Sequence, residues 1–215
     1  MVYQDAALLV LDKPAGLLAV PGRGQDKQDC VVLRVQRVFS DALVVHRLDM
    51  STSGLMLMAR GADMQRRLSR AFEAREVHKR YVAVVDGYPE PVQDDAKGWL
   101  QIDLPIAADW PRRPLRIIDA ALGKASLTRW RLQPGHDDAS AWPGASRVEL
   151  EPVTGRTHQL RVHLQAIGHP ILGDSLYAPG PVQARSSRLL LHACALRLTH
   201  PVTGEMLQLE SPAPF

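Results

Sequence analysis

The stretch Val44-Val45-His46-Arg47-Leu48-Asp49-Met50-Ser51-Thr52-Ser53-Gly54-Leu55-Met56-Leu57-Met58-Ala59 decides the reading of this chain. An apolar run, Leu43-Val44-Val45, predicts a short strand. It ends in a polar turn, and after Gly54 a second apolar run, Leu55 to Ala59, predicts a buried strand. Asp49 falls in the turn. Ser51, Thr52 and Ser53 can hydrogen-bond the turn backbone and hold it rigid. From the residues alone, Asp49 either makes an Asx-type turn or offers its carboxylate to a cleft.

Working outward, Ala7-Leu8-Leu9-Val10-Leu11 predicts a buried strand, broken by the turn Asp12-Lys13-Pro14-Ala15-Gly16. Asp29 is placed to cap a helix over Cys30–Phe39. Asp63 is placed to cap another running to about Glu76. In that second helix Leu68, Ala71 and Phe72 give an apolar face, and Arg66, Arg67, Arg70 and Arg75 make the rest basic. Tyr81–Asp86 and Val148–Glu151 read as strands. Thr157–Ile167 reads as a helix with Leu160, Leu164 and Ile167 on one face and Gly168 at its end. Leu196–Thr199 and Met206–Leu209 alternate around Pro201-Val202-Thr203-Gly204 as a hairpin. Residues 87–114 are dense in turn formers, and 134–146 read as a surface loop. Many strands with few helices predict an α+β fold: a mixed or mainly antiparallel sheet flanked by helices and loops, organised as a single domain over 1–215.

Composition agrees with a globular chain: 215 residues, 46% hydrophobic and 23% charged, with aromatics at 5%, so aliphatic side chains must fill the core. Net charge is +3 and the isoelectric point about 9.1. Five of the 26 basic residues are lysines; the rest are arginines, whose planar donor fork suits phosphates and base edges. Two separated cysteines, Cys30 and Cys194, form no disulfide framework or zinc set, which fits a reducing, cytoplasmic setting. The N-terminus lacks a signal-peptide pattern, and no apolar stretch approaches the roughly 20 residues needed to span a bilayer. His158, His163, His169 and His192 match no zinc spacing such as H-E-x-x-H, and Val153–Thr157 is not a P-loop. No metal, nucleotide or other cofactor is expected.

His46-Arg47-Leu48-Asp49-Met50-Ser51-Thr52-Ser53-Gly54 resembles the HRLD-x-x-TSG signature of the RluA family of pseudouridine synthases. Other segments follow in the family's order. Asp12-Lys13-Pro14-Ala15-Gly16-Leu17 resembles its opening strand and turn, and Lys79-Arg80-Tyr81 its K-x-Y segment. Thr154-Gly155-Arg156-Thr157-His158-Gln159-Leu160-Arg161-Val162-His163-Leu164 resembles its TGR-[ST]-HQLR-VH helix. His169-Pro170-Ile171-Leu172-Gly173-Asp174 and Tyr177 continue the likeness. Val20–Arg23 and Asp109–Pro114 resemble variable segments of the dual-specificity member, which acts on a 23S rRNA loop and on tRNA anticodon stem-loops. Like that member, the chain shows no separate N-terminal RNA-binding domain.

The resemblance implies the pseudouridine synthase fold with a central RNA-binding cleft, and an isomerase acting on uridine in structured RNA. It assigns the catalytic carboxylate to Asp49, an active-site tyrosine to Tyr81, and an arginine that pairs with the aspartate to Arg161. The reaction breaks the bond from C1′ to the base nitrogen, rotates the base and rejoins it through carbon, for which a carboxylate serves as nucleophile or base. Arg47, beside the turn, can fill the space left by an extruded uridine or bind a phosphate. His46 is expected to hold the turn by hydrogen bonding. Arg66, Arg67, Arg70, Lys79 and Arg80 form the basic patch expected to track phosphates, with Arg112, Arg113, Arg116 and Arg156 as further RNA contacts. Three alternatives differ in kind: a synthase specific for rRNA or tRNA alone, a non-catalytic RNA-binding protein on the same scaffold, and a His/Asp metal-dependent hydrolase. Monomer is the expected state.

Overall fold

The computed structural model describes residues 1–90, 98–133 and 141–215. They divide into two compact units: Met1–Lys79 with His192–Phe215, and Arg80–Leu191.

In the first unit the strands are β1 (Tyr3–Gln4), β2 (Leu8–Lys13), β3 (Ala42–Val44), β4 (Ser53–Arg60), β11 (Leu191–Thr199, from His192 on) and β12 (Met206–Glu210). β2 lies antiparallel to β4, with Leu8 opposite Ala59 and Lys13 opposite Gly54. The other edge of β4 is shared: β3 pairs antiparallel at Met58–Arg60, and β11 pairs parallel at Ser53 and Gly54. β11 and β12 form the expected hairpin, with Leu196 opposite Leu209. The sheet is therefore mixed but mainly antiparallel.

Seven of the eight β4 residues are buried, so the run reads as continuously apolar rather than alternating. One face of this sheet packs Leu8, Val10, Leu55, Leu57, Ala59, Leu196 and Leu198 against Leu68 of α2 (Gly61–Glu73) and Val77. Each such aliphatic side chain contributes on the order of 1.5–3 kcal/mol by leaving water. Gly54 is dictated by close approach: its φ is 109°, and an added Cβ would lie 2.4 Å from the Ala193 carbonyl oxygen.

The second unit orders its strands β5 (His78–Asp86, from Arg80 on), β10 (Ala145–Pro152), β9 (Leu127–Leu132) and β6 (Leu100–Asp103), all antiparallel. A separate two-stranded ribbon joins β7 (Ile106–Ala108) and β8 (Arg116–Ile118). The helix α3 (Gln159–Ala166) lies against β8, β9 and β10, and a short α4 covers Gly180–Gln183.

Two predicted caps are corrected. Asp29 does not cap α1 (Val31–Gln36); Cys30 holds that position, and Asp29 instead pairs with Arg34 at 2.6 Å. Asp63 lies inside the first turn of α2, behind the N-cap Arg60, and pairs with Arg66 and Arg67. Asp29 commits its oxygens to Arg34, whereas α2 already begins at Gly61, so Asp63 falls within the helix rather than ahead of it. The segment 87–114, read as punctuation, holds β6 and β7, while its residues 91–97 lie outside the described residues. So do residues 134–140 of the expected surface loop.

Candidate active site

In the first unit, Asp49 sits half-buried in the turn between β3 and β4. The turn is clamped by Lys13, which is 1% exposed. Its ammonium donates to the carbonyls of Pro14 and Leu17 at 2.8 Å and of Met50 at 3.0 Å. Gly16 N–H also donates to the Met50 carbonyl, and Thr52 N–H to that of Asp49. Burying a lysine is costly unless its donors are satisfied. Here they bind the two loops together, so the backbone carrying Asp49 is held from both sides.

Two further ties fix the same turn. Ser53 Oγ bonds Nδ1 of buried His192 at 2.8 Å, and His192 Nε2 bonds the Ser211 carbonyl at 3.1 Å. A carbonyl accepts, so Nε2 carries the hydrogen and Nδ1 accepts from Ser53. Ser211 Oγ in turn donates to Asp12 at 2.7 Å. Upstream of the turn, His46 Nε2 accepts from Leu57 N–H at 2.9 Å, and its ring stacks on Phe72 with centroids 4.8 Å apart. Burial, and then the Lys79 charge, push the His46 pKa down to about 3, which keeps Nε2 an acceptor. His46 thus ties the turn's entry to β4. Arg47 beside it is exposed.

In the second unit, Tyr81 is buried on β5 opposite Leu150. Arg161 on α3 is 3% exposed and makes a fork-to-fork pair with Asp174, which is fully buried: Nε to Oδ2 at 2.8 Å and Nη2 to Oδ1 at 2.6 Å. The helical wheel puts Arg161 away from the core leucines, yet it is not a solvated helix arginine. Asp174 also accepts from the amides of Leu176 and Tyr177. The Tyr177 ring lies under the guanidinium at 5.1 Å, and its hydroxyl bonds Nδ1 of His158 at 2.7 Å.

The polar residues of α3 explain its placement. Gln159 fills its amide group: Nε2 donates to the Leu127 carbonyl and Thr128 Oγ1, and Oε1 accepts from Thr154 Oγ1 and Arg156 N–H. His163, fully buried, bonds Thr128 Oγ1 and the Leu104 carbonyl, and burial lowers its pKa. His158 starts the helix at φ 58°, a left-handed conformation that a non-glycine residue holds only when its surroundings enforce it. The histidines that suggest a metal set are thus individually bonded: His163 and His192 to neighbouring strands and loops, His158 to Tyr177, and His169 to the Asp86 carbonyl at 2.7 Å.

Residues 7–166 match the family model for RNA pseudouridylate synthase. The chain belongs to the RNA pseudouridylate synthase family. It is 44% identical over 215 residues to the dual-specificity RNA pseudouridine synthase RluA of Escherichia coli K12, covering all of this chain and 93% of that one. The protein of the same name from Yersinia pestis is also 44% identical, with 99% of its length covered. Among solved structures, human RNA pseudouridylate synthase domain containing 1 superposes with a TM-score of 0.78 at 31% identity, over all of this chain and 83% of the human chain. As an RNA pseudouridine synthase the chain is an isomerase, and its α+β sheet architecture is the one expected from the motifs.

The residues expected to contact RNA fall into two groups in this synthase. Arg66, Arg67 and Arg70 project from the exposed side of α2, the first two paired to Asp63 at 3.1 and 3.0 Å. Lys79 is half-buried over the Phe72 ring at 5.7 Å, and burial lowers its pKa. In the second unit Arg80 pairs with Glu149 at 3.0 Å, Arg112 with Asp109 at 2.7 Å, and Arg156 donates to the Ala125 carbonyl. Arg113 stacks on Trp110. Lys13, Asp174 and His192 are the supporting residues that sequence reasoning left without a role. No sequence signal points to the first of them: Lys13 follows Asp12 at the end of β2 and reads as a turn residue.

Proposed function

We propose that this synthase converts specific uridines to pseudouridine in a 23S rRNA loop and in tRNA anticodon stem-loops, with Asp49 as the catalytic carboxylate, acting without a cofactor as a cytoplasmic monomer. The observation that carries the assignment of Asp49 is the Lys13 clamp. A carboxylate used as nucleophile or base must hold its position while a nucleoside is extruded and turned, and a turn locked by a buried ammonium supplies that rigidity. The half-buried setting leaves the carboxylate reachable.

Arg161 is the cation assigned to pair with Asp49, and Asp174 orients it. The Asp174 pair engages one edge of the guanidinium, Nε and Nη2, which directs the other edge elsewhere. Tyr81 stacks on the target base, and its hydroxyl helps move the C5 proton. Arg47 fills the place the uridine leaves. The C1′–N1 bond breaks, the base rotates, C1′–C5 forms, and N1 gains a proton as C5 loses one, so no atom is added or removed overall. The 44% identity to the dual-specificity relatives over whole chains supports the choice of rRNA and tRNA.

Tritium release from RNA labelled at uridine C5 tests the reaction, and pseudouridine mapping in total RNA with and without the protein tests the substrates. Release from a tRNA anticodon stem-loop and from the 23S hairpin is expected. Release from one alone would make the enzyme single-specific, and release from neither would leave an RNA binder.

A further inference from the structure

Within the second unit, β7 and β8 are joined by the connection from Asp109 to Leu115. Trp110 in this connection is 69% exposed, whereas Trp99 and Trp130 of the same unit are 6% and 5% exposed. The Arg113 guanidinium lies 3.5 Å from the Trp110 ring centroid, a stacking distance, and much of the indole remains in solvent. The connection is held firmly. Buried Asp109 accepts from Arg112 N–H at 3.2 Å and from Arg112 Nε at 2.7 Å. Asp109 N–H donates to the Leu115 carbonyl, and Leu115 N–H to that of Arg112.

Asp109 neutralises Arg112. No carboxylate among the described residues pairs with Arg113, which lies on the indole face and keeps its charge. The foot of the ribbon is wired to the Arg161 pair: Arg116 N–H donates to the Tyr177 hydroxyl at 3.0 Å, and Tyr177 N–H donates to Asp174 at 3.2 Å.

We propose that Trp110 and Arg113 form a stacking platform for one unpaired nucleobase of the RNA loop that carries the target uridine, and so act as specificity-determining residues. Bases splayed out of single-stranded loops are received on aromatic faces and guanidinium planes, and the pre-stacked pair offers both without first ordering a side chain. The ribbon carries three arginines, Arg112, Arg113 and Arg116, against one aspartate, which draws a phosphate backbone toward it. An anchor for a protein partner would sit in an apolar surround, whereas Trp110 is flanked by exposed Pro111, Arg112, Arg113 and Pro114. The identity of the RNA rests on the proposed function; the stacking chemistry does not.

The test compares wild type, Trp110→Ala, Trp110→Phe and Arg113→Ala on a tRNA anticodon stem-loop, a 23S hairpin and a fully paired duplex at one salt concentration. Trp110→Ala is expected to weaken binding of at least one stem-loop by about 5- to 150-fold, the range of one base–aromatic stack. Trp110→Phe should retain most of the affinity, and Arg113→Ala should lose part of it. Duplex binding should change little, and thermal unfolding should match wild type. Stem-loop RNA should shield tryptophan emission from acrylamide in wild type, and should shield it less in Trp110→Ala. Unchanged stem-loop affinity in Trp110→Ala, or an equal loss on stem-loop and duplex, overturns the platform. If wild type binds stem-loops through Trp110 but forms no pseudouridine in them, the proposed function fails and the platform stands. If Trp110→Ala binds and modifies as wild type does, the platform fails and the function stands.

Discussion

Replacing Asp174 by alanine removes the buried partner of Arg161. The two side chains are 0% and 3% exposed, and they share hydrogen bonds of 2.8 and 2.6 Å. Truncation removes the carboxylate that engages two nitrogens of a guanidinium water reaches poorly, and it also leaves the amides of Leu176 and Tyr177 without their acceptor. Breaking a buried pair from one side costs about 3–5 kcal/mol, mostly from the charge left behind. For a chain of this size that corresponds to a Tm lower by roughly 6–20 °C. Urea and thermal unfolding of Asp174→Ala, Arg161→Met and the double variant measure it. The double variant should be no less stable than Asp174→Ala, since the buried guanidinium is removed along with its carboxylate. A loss below about 1 kcal/mol in Asp174→Ala, or full additivity of the two single losses, would refute the reasoning.

Lys13→Met should destabilise by about 3 kcal/mol or more, because charged hydrogen bonds to the Pro14, Leu17 and Met50 carbonyls are lost in a buried turn; urea unfolding checks this, and turnover should fall further than RNA affinity. His46 has its folded pKa depressed to about 3 from an ordinary 6.5, so its contribution is complete above pH 6.5. It drains as pH falls toward 3, by up to about 1.4 kcal/mol per pH unit. His46→Gln should flatten the pH dependence of unfolding in that window, and an unaltered profile would contradict the assignment. Tyr81→Phe should fold normally and lower single-turnover product formation by about 10²-fold, the scale of a lost proton-transfer group.

Much of this fold is legible in the pattern of apolar residues. The strands at Leu8–Lys13 and Ser53–Arg60 and the hairpin of β11 and β12 follow from run length and alternation, and the ends of α3 come within two residues of expectation. The strands β6, β7 and β8 escape because they are three or four residues long, too short to display a period. β9 escapes because its buried positions are Thr128 and Trp130 among arginines, so hydropathy hides the alternation. Asp29 misleads as a cap because its ion pair with Arg34 uses the same oxygens, and Asp63 because the helix already starts at Gly61. In the site, motif residues are visible by their order, but Arg161 with Asp174 joins positions 13 apart that only the turn after α3 brings together. Ser53 with His192 spans 139 positions and is set by the parallel pairing of β4 and β11. Lys13 shows in the sequence as a turn residue, and its burial is a tertiary fact.

The role of Asp49 is tested most directly by single-turnover pseudouridine formation in Asp49→Asn, run beside RNA binding and thermal unfolding. The substitution keeps the side chain's size while removing its charge. Wild-type-like folding and RNA affinity with no detectable pseudouridine is the expected result. Product formed at a rate near wild type would contradict the account.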